Sequence, residues 1–145
     1  RIVVSGRIKH FTSAFGEHVI AEEVELALQA GLQEQNAEVV EFTVAPQVTP
    51  PDGELPFHEW LIEFGTPPAD LDKFRLTMDQ AMQDKNIYYR DLLEGNILQP
   101  LKITAIQKDG FTNFMRSRGK LGGQNKIPRL SNDREYADAL VEFKV

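Results

Sequence analysis

A chain of 145 residues with 41% apolar side chains has material for one core and one domain, with no room for a second of ordinary size. Its formal charge of -6 argues against a nucleic-acid surface, and zero cysteines exclude disulfides, thiolate metal sites and cysteine nucleophiles. No apolar run is long enough to cross a bilayer, and the lack of cysteine fits a reducing cytoplasm.

In chain order, Arg1 to Arg7 is short and β-branched, which predicts a strand or the tail of one and is no signal peptide. A strand-like run at the first residue, with no initiator methionine, reads as a piece of a longer chain. Lys9 to Ala14 is a second candidate strand, closed by Gly16. Ala21 to Gln35 is helical: Val24, Ala27, Leu28, Gly31 and Leu32 share one face, with Glu22, Glu23 and Glu25 in the first turn. Ala37 to Ala45 alternates as a strand, with Val40, Phe42 and Val44 opposite Val39, Glu41 and Thr43. Pro46, Pro50, Pro51, Gly53 and Pro56 then make a loop, and Phe57 to Phe64 reads as the returning strand of a hairpin.

Pro67 and Pro68 open a helix whose core face carries Leu71, Phe74, Met78, Ala81 and Met82. A short helix after Asn86 contributes Tyr88, Tyr89, Leu92 and Leu93 and ends at Gly95. Pro100 to Ile106 alternates as a strand, and Phe111 to Arg118 forms a short helix closed by Gly119. Beyond the glycine-rich stretch at Gly122 and Gly123, Asn132 or Asp133 caps a final helix through Ala137, Leu140 and Val141. Interspersed strands and helices predict one small α/β (α+β) domain, an open mixed sheet flanked by helices.

Two segments carry chemistry. Gly6-Arg7-Ile8-Lys9 leads at fixed steps to Gly16, Val19 and Glu23-Val24-Glu25. An arginine at a strand end can offer a rigid fork of donors to a nucleotide, or simply face solvent. Lys9, by itself, reads as an ordinary exposed lysine in a strand. The second segment is Gly119-Lys120-Leu121-Gly122-Gly123-Gln124-Asn125-Lys126-Ile127-Pro128-Arg129, a deformable basic loop. It is not a Walker phosphate loop, because no glycine has the required spacing before Lys120 and no Ser or Thr follows it. Alone, such a loop reads equally as a solvated turn.

The first segment resembles the opening of the C-terminal domain of adenylate-forming enzymes: acyl-CoA synthetases, luciferases and peptide-synthetase adenylation domains. Two positions depart from the usual pattern: Ser13 where many relatives have lysine, and Lys9 where many have aspartate. The whole chain is more similar to the last domain of the acyl acid–amido synthetases first known as auxin-responsive proteins in plants. The runs Ser5 to Val19 and Gly119 to Arg129 resemble their bacterial branch, and His18 stands where plant members tend to carry lysine.

This resemblance implies a C-terminal lid domain over 9–145 after a linker over 1–8, partnered by the protein's own N-terminal adenylation domain. It implies ATP with Mg2+ as nucleotide, acyl acid and amino acid as substrates, and Lys126 as the catalytic cation. Arg7, Lys120 and Arg129 would contact nucleotide, Lys9 would be the hinge, and Gly16, Glu17 and His18 would lie near the acceptor site. Glu17 and His18 fit a polar loop tip equally well.

The rival reading is a non-catalytic α/β binding or regulatory module, which needs an apolar site lined by Phe57, Trp60, Tyr88 and Tyr89. Their spacing fits core packing better. His10, His18 and His58 do not share an element as a zinc set does, so no structural metal is expected, and no membrane partner either.

Overall fold

A computed structural model describes residues 11–12, 19–48, 50, 53–117, 130 and 134–145. The short strands β1 (Phe11–Thr12) and β2 (Val19–Ile20) pair antiparallel and lead into α1 (Ala21–Gln35). Strands β3 (Glu38–Gln47) and β4 (Phe57–Thr66) form an antiparallel hairpin. Helices α2 (Leu71–Lys85) and α3 (Ile87–Glu94) follow, then β5 (Lys102–Ala105), which joins β4 in parallel. Helices α4 (Gly110–Ser117) and α5 (Glu135–Leu140) and a 3-10 turn at Val141–Phe143 complete the chain. The result is a small α+β domain built on a mixed sheet of order β3-β4-β5.

Alternation along β4 divides the core. Trp60 and Ile62 join Phe42 and Val44 beneath α1, α2 and α3, where Val24, Ala27, Leu28, Phe74, Met78, Met82 and Tyr89 are buried. Leu61 points the other way, into a second cluster with Ala45, Ile106, Phe111, Phe114, Ala137 and Leu140 under α4 and α5. The sheet is therefore the middle of three layers, with both faces of its central strand β4 buried by helices.

The helices of the first layer pack at short range because of Gly31. A Cβ placed there would sit 2.8 Å from Phe74 Cε1. Within this layer Asp79 is buried and fully used: it accepts from Tyr89 Oη at 2.5 Å, the Leu101 N–H at 3.1 Å and Gln83 Nε2 at 2.8 Å. One carboxylate on α2 thus ties α3 and the lead-in to β5, as a buried charge must be tied. His58, also buried, stacks on Tyr89 with ring centroids 5.3 Å apart.

Several elements differ from their sequence expectation for local physical reasons. Register shifts on both sides of Val39 mark a bulge, so Val39 packs on the first cluster while Val40 is 61% exposed. An extra residue inverts side-chain parity, which strict alternation cannot anticipate. Strand β3 also runs through Pro46 to Gln47. Proline is tolerated there because β3 lies at the sheet edge, and the Pro46 carbonyl points outward to accept from Arg134.

Helix α2 begins at Leu71, with Asp70 accepting the Lys73 N–H, and not at the two prolines. Leu71 is consequently in the half-exposed first turn. Asn86 caps α3 through the Tyr89 N–H. Gly95 ends α3 at φ -84, without the left-handed conformation, and Asn96 takes φ 58 one residue later. Arg134 holds the N-cap position of α5, while Asn132 and Asp133 lie outside the described residues.

Candidate functional site

Lys126, Lys120, Arg129, Arg7, Lys9, Gly16, Glu17 and His18, the residues that the sequence singles out, all lie outside the described residues. What the structure does describe is the framework to which their two segments are attached.

The first attachment is β1 and β2, where Phe11 pairs with Ile20 and Thr12 with Val19. This pairing sets the backbone of Thr12 beside that of Val19, just before α1. Val19 is fully buried and anchors the return strand. Glu23, part of the Glu23-Val24-Glu25 motif, accepts the Ile20 N–H at 3.1 Å and Asn86 Nδ2 at 3.0 Å. It serves as half of a capping box, because Ile20 has no side-chain oxygen to reciprocate. Its bonds join the start of α1 to the α2–α3 junction.

The second attachment surrounds 118–129. On the outgoing side α4 starts over Glu63, a buried carboxylate of β4 that accepts the Asp109 N–H at 2.8 Å and the Phe111 N–H at 3.3 Å. Negative charge at a helix N-terminus satisfies donors that have no intrahelical partner. Gly110 lets this turn press against β5's exit: a Cβ there would lie 2.3 Å from Ile106 Cγ2. On the returning side Leu130 is 2% exposed and bridges in parallel to Val44 of β3.

Arg134 follows, with three acceptors on its guanidinium. Nη2 reaches Glu59 Oε1 at 2.7 Å, Nε reaches Asp138 Oδ1 at 2.8 Å, and Nη1 reaches the Pro46 carbonyl at 3.4 Å. Glu59 in turn accepts from Thr104 Oγ1 on β5. Glu59 and Glu63 share strand parity with Leu61, so both face the α4–α5 layer. Carboxylates of one strand thus hold the start of α4, which precedes the basic segment, and Arg134, which follows it. Sequence reasoning missed Glu59, Glu63 and Arg134; the available signal was two carboxylates, four residues apart, flanking the apolar run Trp60-Leu61-Ile62 of one strand.

Little on the described surface favours the binding-module alternative. Phe57, Trp60 and Tyr89 are core residues, leaving Tyr88 exposed. An open groove of about 470 Å³ beside β5 is lined by Leu71, Arg75, Pro100, Lys102 and Ile103 among others. Its cations are already engaged: Arg75 donates to the Leu101 carbonyl and Lys102 pairs with Glu54 at 2.7 Å. Among the described residues no group of three His, Asp or Glu is placed to hold a metal ion, and no helix is long and apolar enough to cross a membrane.

No curated protein sequence matches the chain. The fold is similar to a solved GH3.15 acyl acid amido synthetase, with a TM-score of 0.76 at 17% identity over 94% of this chain. It is also similar to AtGH3.15 acyl acid amido synthetase in complex with 2,4-DB, with a TM-score of 0.72 at 15% identity and the same coverage. The chain spans 27% and 26% of those two proteins, and at such identity the likeness is one of fold. Residues 22–135 match the GH3 family C-terminal domain. This match takes in most of the chain, from the first turn of α1 to the start of α5, and the chain therefore belongs to the GH3 family, as its C-terminal domain.

Proposed function

We propose that this domain is the lid of an ATP-dependent acyl acid–amido synthetase, with residues 9–145 as the lid and 1–8 as the end of the linker. The observation that carries this reading is the family match over 22–135 on a chain that spans about a quarter of the similar synthetases. Their names give the reaction class: a carboxylic acid joined to an amine as an amide.

The chemistry divides into two steps. A carboxylate oxygen attacks the α-phosphorus of ATP, the bond to pyrophosphate breaks, and an acyl-adenylate forms. The nitrogen of an amino acid then attacks the acyl carbon, AMP leaves, and the nitrogen loses a proton. Charge gathers on the phosphoryl oxygens in the first step, so a cation that meets them in the transition state lowers the barrier. Lys126 is assigned that role; it stays protonated and transfers nothing. Lys120, Arg129 and Arg7 suit contacts to the other phosphate and ribose oxygens. Lys9 is the hinge, and Gly16, Glu17 and His18 lie towards the amine.

Magnesium bound with the nucleotide would neutralise phosphate charge. The acyl pocket and the adenine pocket belong to an N-terminal domain, and a chain working on ATP without cysteine suits the cytoplasm.

The test is ATP–pyrophosphate exchange in a protein that joins this domain to its adenylation domain. Lys126→Ala should reduce exchange by on the order of 10²-fold or more, the size seen for single groups that stabilise transition-state charge. Unchanged exchange in that variant would remove the assignment, and robust exchange by the 145-residue chain alone would remove the lid reading.

A further inference from the structure

We propose that the groove beside β5 binds an N-acyl amino acid, whose amide N–H and carboxylate pair with the backbone of Ile103 while the carboxylate also meets Arg75. A compound of this class is what the proposed ligase would release, so the biological sense of the site rests on that reading. The site itself uses described residues alone.

Backbone groups along β5 alternate between β4 and the outer edge of the sheet. The Ile106 N–H donates to the Ile62 carbonyl, so Lys102, Thr104 and Ile106 face β4, while Leu101, Ile103, Ala105 and Gln107 face outward. The outer edge is filled on both sides of Ile103. Towards the chain end, the Gln107 N–H donates to the Phe143 carbonyl and the Ala105 carbonyl accepts the Val145 N–H, each at 2.9 Å. On the other side, the Leu101 N–H donates to Asp79 at 3.1 Å and the Leu101 carbonyl accepts from Arg75 Nη1 at 3.2 Å. Among the described residues nothing bonds the outward N–H and carbonyl of Ile103. The gap is one residue long.

One ligand residue satisfies both of these groups only as an antiparallel partner. Its N–H then meets the Ile103 carbonyl, a carboxyl oxygen meets the Ile103 N–H, and its C-terminal side points back towards Leu101. Arg75 stands at that end. Its bond to a neutral carbonyl uses one N–H of the guanidinium and leaves the charge unmatched, for no carboxylate among the described residues pairs with it. A carboxylate there gains a charge-assisted bond. Lys102, the other cation of the groove, is matched by Glu54 at 2.7 Å, and Asp72 on the rim is exposed, where water screens it.

The space fits a small molecule. The groove holds about 470 Å³, with Leu71, Pro100 and Ile103 as its apolar lining. Residues directly opposite in an antiparallel pair place their side chains on the same face. Ile103 packs against the core cluster under α2, so the ligand's side chain lies on that face too, and an apolar one suits it.

The test titrates the isotope-labelled protein with N-acetyl-L-leucine and follows its amide resonances. Saturable shifts centred on Ile103 are expected, with Kd on the order of 1 mM for a ligand of about a dozen heavy atoms in an open groove. N-acetyl-L-leucinamide, which lacks the charge, should bind at least about tenfold more weakly, as should N-acetyl-N-methyl-L-leucine, which lacks the donor. Arg75→Gln should bind acid and amide alike. No saturable shift at Ile103, or equal affinity for the acid and either analogue, overturns the proposal, as does an Arg75→Gln protein that keeps the preference for the acid. Comparing the three ligands needs only the unaltered protein, so the outcome stands if Arg75→Gln does not fold. Normal exchange in Lys126→Ala refutes the ligase reading without touching this titration, so the two failures are told apart.

Discussion

Among the described glycines, Gly110 leaves the least room for a side chain. Its missing Cβ would meet Ile106 Cγ2 at 2.3 Å and Phe143 Cβ at 3.2 Å, while Asp109 before it already takes φ 64. Gly110→Ala should cost about 2–3 kcal/mol by overpacking, measured as a lower urea midpoint with an unchanged m-value. Asp79→Ala removes a buried acceptor from Tyr89 Oη and the Leu101 N–H, and should cost about 3 kcal/mol in the same experiment. Glu54 shows the contrasting exposed case. Hydrogen bonds from Lys102 and Gln99, with the Lys102 charge, hold its carboxyl below the ordinary value. Its small contribution is present above the unfolded-state pKa and is lost as pH falls through the lower folded value. Glu54→Gln should accordingly lower neutral-pH stability slightly, leave stability at low pH unchanged and so flatten the acid limb of the profile, read by denaturation at pH 3 to 6.

At the scale of elements, the bulge in β3 makes a prediction that a straight strand would reverse. Val39 is packed and Val40 exposed, so Val40→Lys should change stability by less than about 0.5 kcal/mol, as at ordinary surface positions. Val39→Lys should cost several times more. Equal costs would mean the register shift is wrong. Helix α4 depends on a strand for its start: Glu63→Ala would leave the Asp109 and Phe111 N–H groups without their carboxylate, at about 1–3 kcal/mol. The effect should concentrate in α4, where amide hydrogen exchange of its first turn would quicken before that of α1.

For the whole molecule, the two helical layers share one sheet and no route separates them. Trp60 lies at the centre, 1% exposed and stacked near Phe42 with centroids 6.0 Å apart. As the single tryptophan, it should emit at short wavelength in the native state. Its shift to the red on denaturation should coincide with loss of helical circular dichroism, as one cooperative unit requires. Separate transitions would show that the α4–α5 layer unfolds on its own. The same architecture places both attachments of the 118–129 segment on the β3–β4 hairpin, the most extensively paired part of the sheet.

Sequence alone was sufficient for what repeats with a period. The stripe Val24, Ala27, Leu28 and Gly31 faces the core as its spacing requires, the hairpin of β3 and β4 forms, and a short helix follows Asn86. Family membership was also legible, because it resides in the order of residues along the chain and the match over 22–135 supports it. Tertiary structure alone decided the non-periodic features. The inverted parity at Val39, the parallel docking of β5 on β4, and the pairing of Arg134 with Glu59, 75 positions apart, each depend on what another segment places opposite. A period reports which face of one element is buried; a hydrogen bond between distant side chains exists only once the sheet has brought them within reach.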